Sequence, residues 1–212
     1  MGSRCGRSVG TRTHLPNQTK SVSSEQVDQF AVMRVFAVAD ALNSDCEPFA
    51  SAEDRLKRLD QVRNQVGSWS LERLLDSNGL NRARVERYER ASWTRELVSL
   101  DALAVWPGAG GLPLSICGCS VIATAERVMH LPNLPPRLAR FIESMNSDSA
   151  ATVALCGAIP LIAMSECLIH RVPRPGVELS LDDGSHRAIV LALHAPSTPV
   201  AMLVGRRLER TK

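Results

Sequence analysis

Aromatic residues are scarce: four Phe, three Trp and one Tyr make up 4% of 212 residues. The core must therefore come mostly from Leu, Val, Ala and Ile, within an apolar share of 44% that is ordinary for a globular protein. No run approaches the roughly 18 apolar residues a membrane span needs. The start lacks an apolar h-region, so no secretory signal is expected. Acidic residues are missing from the first twenty positions, which carry Arg4, Arg7, Arg12 and Lys20. That polar stretch, residues 1–22, reads as a disordered tail. His14, His130, His170, His186 and His194 form no HExxH and no paired set, so metal ligation has no motif behind it. Pro107-Gly108-Ala109-Gly110-Gly111 lacks the Lys-Ser/Thr of a phosphate loop, and no Gly-x-Ser-x-Gly elbow occurs.

The six cysteines, Cys5, Cys46, Cys117, Cys119, Cys156 and Cys167, are scattered among apolar residues. That pattern fits buried thiols of a cytoplasmic protein, the expected location, and not a disulfide framework. Cys117-Gly118-Cys119 has no second ligand pair at zinc spacing. Neither a metal nor an organic cofactor is expected, and neither is a membrane partner.

What is present divides into helical and strand-like stretches. Ser23 to Leu42 carries Val27, Ala31, Val35, Val38 and Leu42 at helical spacing, with Ser23 or Ser24 as cap. A second helix starts at Ser51 and ends at Gly67. Ser70 to Ser77 is a short helix stopped by Asn78-Gly79. Leu80 to Ala91 suits either a strand or a helix with Arg82, Glu86 and Arg90 at i,i+4. Val98 to Ile122 places two apolar runs around the Pro107–Gly111 turn, which predicts an antiparallel hairpin. Leu138, Phe141, Ile142 and Met145 form the stripe of a helix that starts near Pro135-Pro136. Ala150 to Cys156 is helix or strand, and Leu161 to Val172 pairs into the sheet. Leu179 to Gly184 is a tight turn. Ala188 to Ala195 and Val200 to Leu208 predict a last hairpin. The expected architecture is α+β: an antiparallel sheet flanked by helices in a single domain over 23–212, with N-terminal helices at 23–66 and the sheet core at 98–210.

Two places can carry chemistry. His170-Arg171 ends an apolar run, where an arginine can grip a carboxylate bidentately or simply reach solvent. Glu166 lies inside the same run, where a carboxylate needs a partner or has a raised pKa.

The order of features resembles the chorismate lyase family over roughly residues 55 to 210. The matching stretches are SLERLLDSNGLNRARVERYE, GAGGLPLSICGCSVI, LPPRLARFI, IPLIAMSECLIHR and AIVLALHAPSTPVAMLVGRRL. The resemblance implies a sheet that encloses a small aromatic carboxylate and an elimination of pyruvate from chorismate that leaves a hydroxybenzoate. In that family an arginine on the central hairpin holds the carboxylate and a glutamate lies near the end of the last strand. Here those places read Leu100-Asp101-Ala102 and Met202-Leu203-Val204-Gly205. Arg171, and more loosely Arg187, stand where the pattern has arginines, and Glu166 joins them as a ligand-binding candidate. The same fold resembles the UTRA-type ligand-sensing domain of bacterial transcription regulators. Under that alternative LLDSNGLNRARVERYERA looks like a helix-turn-helix, with Arg82, Arg84 and Arg87 facing DNA.

Overall fold

The computed structural model describes residues 24–45, 51–76, 80–106, 112–117 and 120–208, without 135, 137, 140, 141 and 144–148. The expected tail at 1–22, the cap Ser23, the Asn78-Gly79 stop, the Pro107–Gly111 turn, Phe141 and Met145 lie outside these residues. So do Cys5, His14, Cys46 and Cys119.

The chain begins with a short strand, β1 (Glu25–Val27), and a helix, α1 (Gln29–Asp45). The Asp28 carboxylate accepts from Phe30 N at 2.8 Å, so Asp28 and not Ser24 caps this helix. Then come α2 (Ala52–Gly67), α3 (Leu71–Leu75), α4 (Arg82–Glu89), β2 (Ala91–Val98), a 3-10 turn (Leu100–Ala102) and β3 (Leu103–Val105). The second half holds α5 (Val121–Met129), α6 (Ser149–Ala158), β4 (Leu161–Ser165), α7 (Glu166–Ile169), β5 (Leu179–Asp183), α8 (Ser185–His194) and β6 (Val200–Arg207). Several helix starts are written in the sequence. Ser51, Ser70, Asn81 and Ser120 each accept from the backbone N–H three residues on, which satisfies a donor the helix cannot.

The α+β class holds, but the sheet is mixed. Its six strands run in the order β1-β2-β6-β4-β5-β3. β1, β2 and β6 pair antiparallel, as do β4 and β5, whereas β4 with β6 and β3 with β5 are parallel. Two expected hairpins give way to this arrangement. Ala188 to Ala195 is not a strand: α8 occupies it, and Arg187 to Ala192 are all buried. A segment buried on every side shows no periodicity, so helix and strand look alike in its sequence. As a helix it crosses over from β5 and brings β6 in parallel to β4. The central hairpin fails similarly. Among the described residues of this stretch after Val98, the end of β2, Leu103–Val105 is the one strand, Leu112 to Cys117 carry a turn, and Val121 opens α5. Leu179 to Asp183 is a strand and not a turn, with the reversal left to Gly184 at φ 87°, a conformation glycine takes without strain. Ala150 to Cys156 resolves to helix, and the run from Leu161 splits into β4 and α7. The sheet also reaches beyond 98–210, since β1 and most of β2 precede it.

One apolar cluster runs from α1 to β6. α1 packs on α2, α2 on α6, α6 on α8 and α8 on α5. Trp93 of β2 lies over Gly205 of β6 and donates from Nε1 to Tyr88 O at 3.1 Å. Its ring meets Tyr88 edge-on at 5.0 Å. A Cβ at Gly205 would sit 2.8 Å from the Trp93 ring. Gly205→Ala is therefore expected to displace Trp93 and cost about 1–3 kcal/mol. A urea unfolding curve checks this, and an unchanged midpoint would contradict the close packing.

Candidate functional site

Side chains alternate across a strand, so Ser180 and Asp182 of β5 share one face while Leu179, Leu181 and Asp183 share the other. A buried carboxylate must find partners, and each acid here recruits a different element.

Asp182, whose side chain is fully buried, recruits α4. Arg84 Nε lies 2.9 Å from Asp182 Oδ2 and Arg87 Nη2 lies 3.1 Å from Oδ1. The Tyr88 hydroxyl donates to Oδ2 at 2.7 Å. Burial, with the Asp182 charge next, pushes the Tyr88 phenol well above its ordinary value against the pull of Arg84. The phenol therefore stays a donor. Arg84 also stacks on the Phe36 ring of α1 at 4.4 Å.

Glu166 is 2% exposed at the start of α7. Arg174 grips it with two nitrogens, Nε to Oε1 and Nη2 to Oε2, the bidentate form that suits guanidinium. Ser180 donates to Glu166 and itself accepts from Arg174 Nη2 at 2.6 Å. Burial alone would raise the Glu166 pKa, but the Arg174 and Ser180 hydrogen bonds and the Arg174 charge outweigh it. The net shift is downward, so Glu166 is an anion.

Between these two clusters stands Trp106, which follows β3. The Arg87 guanidinium lies 5.6 Å from its ring centroid and the His170 imidazole 4.7 Å. His170 Nε2 is 3.7 Å from Glu166 Oε1, beyond hydrogen-bond reach, and has no hydrogen-bond partner among the described residues. Trp106, Arg87, His170 and Arg174 are all half-buried. Arg87 and His170 thus lie beside the Trp106 indole as a rim of one guanidinium and one imidazole on an aromatic ring, and His170 leads from it to the Arg174–Glu166 pair.

The sequence candidates are only partly united here. Glu166 belongs to this site, but as the partner of Arg174 and not as a free carboxylate. Arg171 is exposed, one residue past His170. Arg187 is buried elsewhere, paired with Asp183 Oδ2 at 2.9 Å and donating to Ile159 O on the opposite face of β5. The segment 82–89 is helical, as the helix-turn-helix alternative requires. Yet Arg84 and Arg87 turn inward to Asp182, and only Arg82 is exposed, paired with Glu86 at 2.9 Å. A recognition helix needs those side chains outward, whereas here two of the three are tied to the sheet. Trp106, Arg174, Ser180 and Asp182 escaped the sequence reading. Ser180 and Asp182 had one signal, the alternation of Leu179-Ser180-Leu181-Asp182, masked by a pair of acids that reads as a turn.

A shallow cleft of about 700 Å³ lies elsewhere, lined by Ser115, Ile116, Glu126, Arg127, His130 and Leu131. Among the described residues no three His, Cys, Asp or Glu side chains gather as a metal site. No helix there is long and apolar enough to cross a membrane. No protein-family model, curated protein or solved structure matches the chain.

Removing Asp182 strands two guanidiniums and a buried phenol, so Asp182→Ala is expected to cost about 3 kcal/mol or more. Chemical denaturation measures this, and a loss below about 1 kcal/mol would show that α4 is held by other contacts. Glu166 has a lowered folded pKa, so its contribution is complete above the unfolded carboxyl value of about 4.3 and is lost as pH falls through the lower folded value. Glu166→Gln should therefore show a flatter loss of stability than the unmodified protein between pH 5 and 3, by urea midpoints. Parallel profiles would contradict the pairing.

Proposed function

We propose that the protein binds a small aromatic carboxylate at the Trp106 rim, as a divergent chorismate lyase-like protein, with chorismate as its first candidate substrate. The observation that carries this reading is the indole of Trp106 with Arg87 and His170 beside it. An aromatic acid needs a flat apolar surface for its ring and cations for its carboxylate, and the rim offers both within a few ångström. Elimination of pyruvate from chorismate breaks one C–O bond and aromatises the ring. It calls for no metal or organic cofactor, only fixed cations on the carboxylates and exclusion of water. Arg171 and Arg187, the arginines the resemblance pointed to, give way to Arg87 with His170 beside it, while Arg174 stays on Glu166 and Ser180.

The test is a turnover assay, with loss of chorismate absorbance and release of pyruvate, run beside calorimetric titration with 4-hydroxybenzoate. Binding of 4-hydroxybenzoate is expected, and Trp106→Ala should weaken it about ten-fold or more through loss of the stacking surface. Arg171→Ala should leave it unchanged. Turnover adds the lyase activity; binding without turnover assigns a sensor or carrier role. Absence of binding, or a Trp106→Ala variant that binds as well as the parent, would refute the proposal.

A further inference from the structure

The segment from His170 to Val177 is closed into a loop at its base, where Glu166 N donates to Glu178 O at 2.8 Å. Arg171, Val172, Pro173, Pro175 and Gly176 are exposed, Val172 at 79%. Such a loop has little burial of its own to hold it. One side chain anchors it. Arg174 reaches back under the segment to Glu166 and to Ser180, and its Nη1 lies 3.4 Å from Val105 O on the edge strand β3. The first residue of the segment, His170, rests on Trp106. Gly176, at φ 75°, and the flanking Pro173 and Pro175 confine bending to a few positions.

We infer that His170–Val177 is a strap over the Trp106 rim, that the Arg174–Glu166–Ser180 contact is its latch, and that releasing the latch lifts His170 from Trp106 and opens the rim. The strap stands independently of the ligand, while its role as a gate rests on the aromatic-carboxylate reading. The latch differs from an ordinary surface ion pair. Both Glu166 oxygens are engaged, and Ser180 closes the triangle on the buried side. One contact therefore decides whether eight residues are docked.

Limited trypsin digestion of the full chain tests this directly. Within the strap only the Arg171–Val172 bond is open to trypsin, because Arg174 precedes Pro175. Arg174→Ala is expected to speed that cut, read as fragments 1–171 and 172–212, by about ten-fold, since cleavage follows the population of the open form. Cuts at the exposed Lys57 of α2 should keep their parent rate. Equal rates at Arg171 in the variant and the parent would overturn the strap. Should every cut accelerate together, Ser180→Ala decides, because it removes one latch hydrogen bond at little change in volume. A faster Arg171 cut with α2 unchanged supports the strap, and a parent-like rate overturns it. Addition of 4-hydroxybenzoate separates the two claims. Slower cutting of the parent at Arg171 supports the gate. Latch-dependent cutting that ignores 4-hydroxybenzoate keeps the strap and removes that ligand.

Discussion

Two carboxylates and a hydroxyl on one side of the sheet set the terms for the rest of the protein. Asp182 and Ser180 share a face of β5, and Glu166 enters beside them from the end of β4. None of them can stay unpaired where water is excluded. Asp182 therefore fixes α4 through Arg84, Arg87 and Tyr88, and α4 in turn carries the Trp93–Gly205 packing through the Tyr88 carbonyl. Glu166 and Ser180 fix the loop after α7 through Arg174. Arg87 of the first set, and His170 beside the second, lie near one indole. The Trp106 rim is thus a product of how the sheet's polar face is satisfied, and not an addition to a finished fold.

Such an arrangement favours specificity of structure over stability. Burying ion pairs costs desolvation that their attraction only partly offsets, whereas breaking one is expensive. The pairs here tie elements far apart in sequence, about a hundred residues in the case of Arg84 and Asp182. They select one docking of α4 on the sheet. Arg187 does the same on the opposite face by joining Asp183 to the carbonyl of Ile159.

Most helices of the first half were legible from a stripe or a cap, although Leu80 to Ala91 stayed open between helix and strand and the first helix starts at Gln29, after a short strand at Glu25–Val27. Ser51 to Gly67 and Ser70 to Ser77 were read from Ser caps and Leu spacing, and the helices stand at Ala52–Gly67 and Leu71–Leu75. The second half was harder for a physical reason. Ala188 to Ala192 is apolar at every position, and a stretch buried all round has no period to read. Its true helix turns an expected hairpin into a crossover and an antiparallel sheet into a mixed one. The strand Ala91–Val98 was not read at all: Thr94, Arg95 and Glu96 put three polar residues in a row on a half-exposed sheet, which breaks the apolar alternation a strand is read from. Of the site, Glu166 was legible as a carboxylate in an apolar run. Its partner Arg174 was not, because Pro173 and Pro175 mark only a loop, and which acid a loop arginine finds is settled by tertiary packing.

Function concentrates where those long-range pairs leave groups half-covered. Trp106, Arg87, His170 and Arg174 come from three separate regions of the chain. The most direct measurement is proton NMR of the Trp106 indole and the His170 imidazole during titration with 4-hydroxybenzoate, with Trp106→Phe used for assignment. The account predicts saturable shifts of both resonances with one common affinity. Shifts confined to His130 at the end of α5, or no shift at Trp106 and His170, would contradict it.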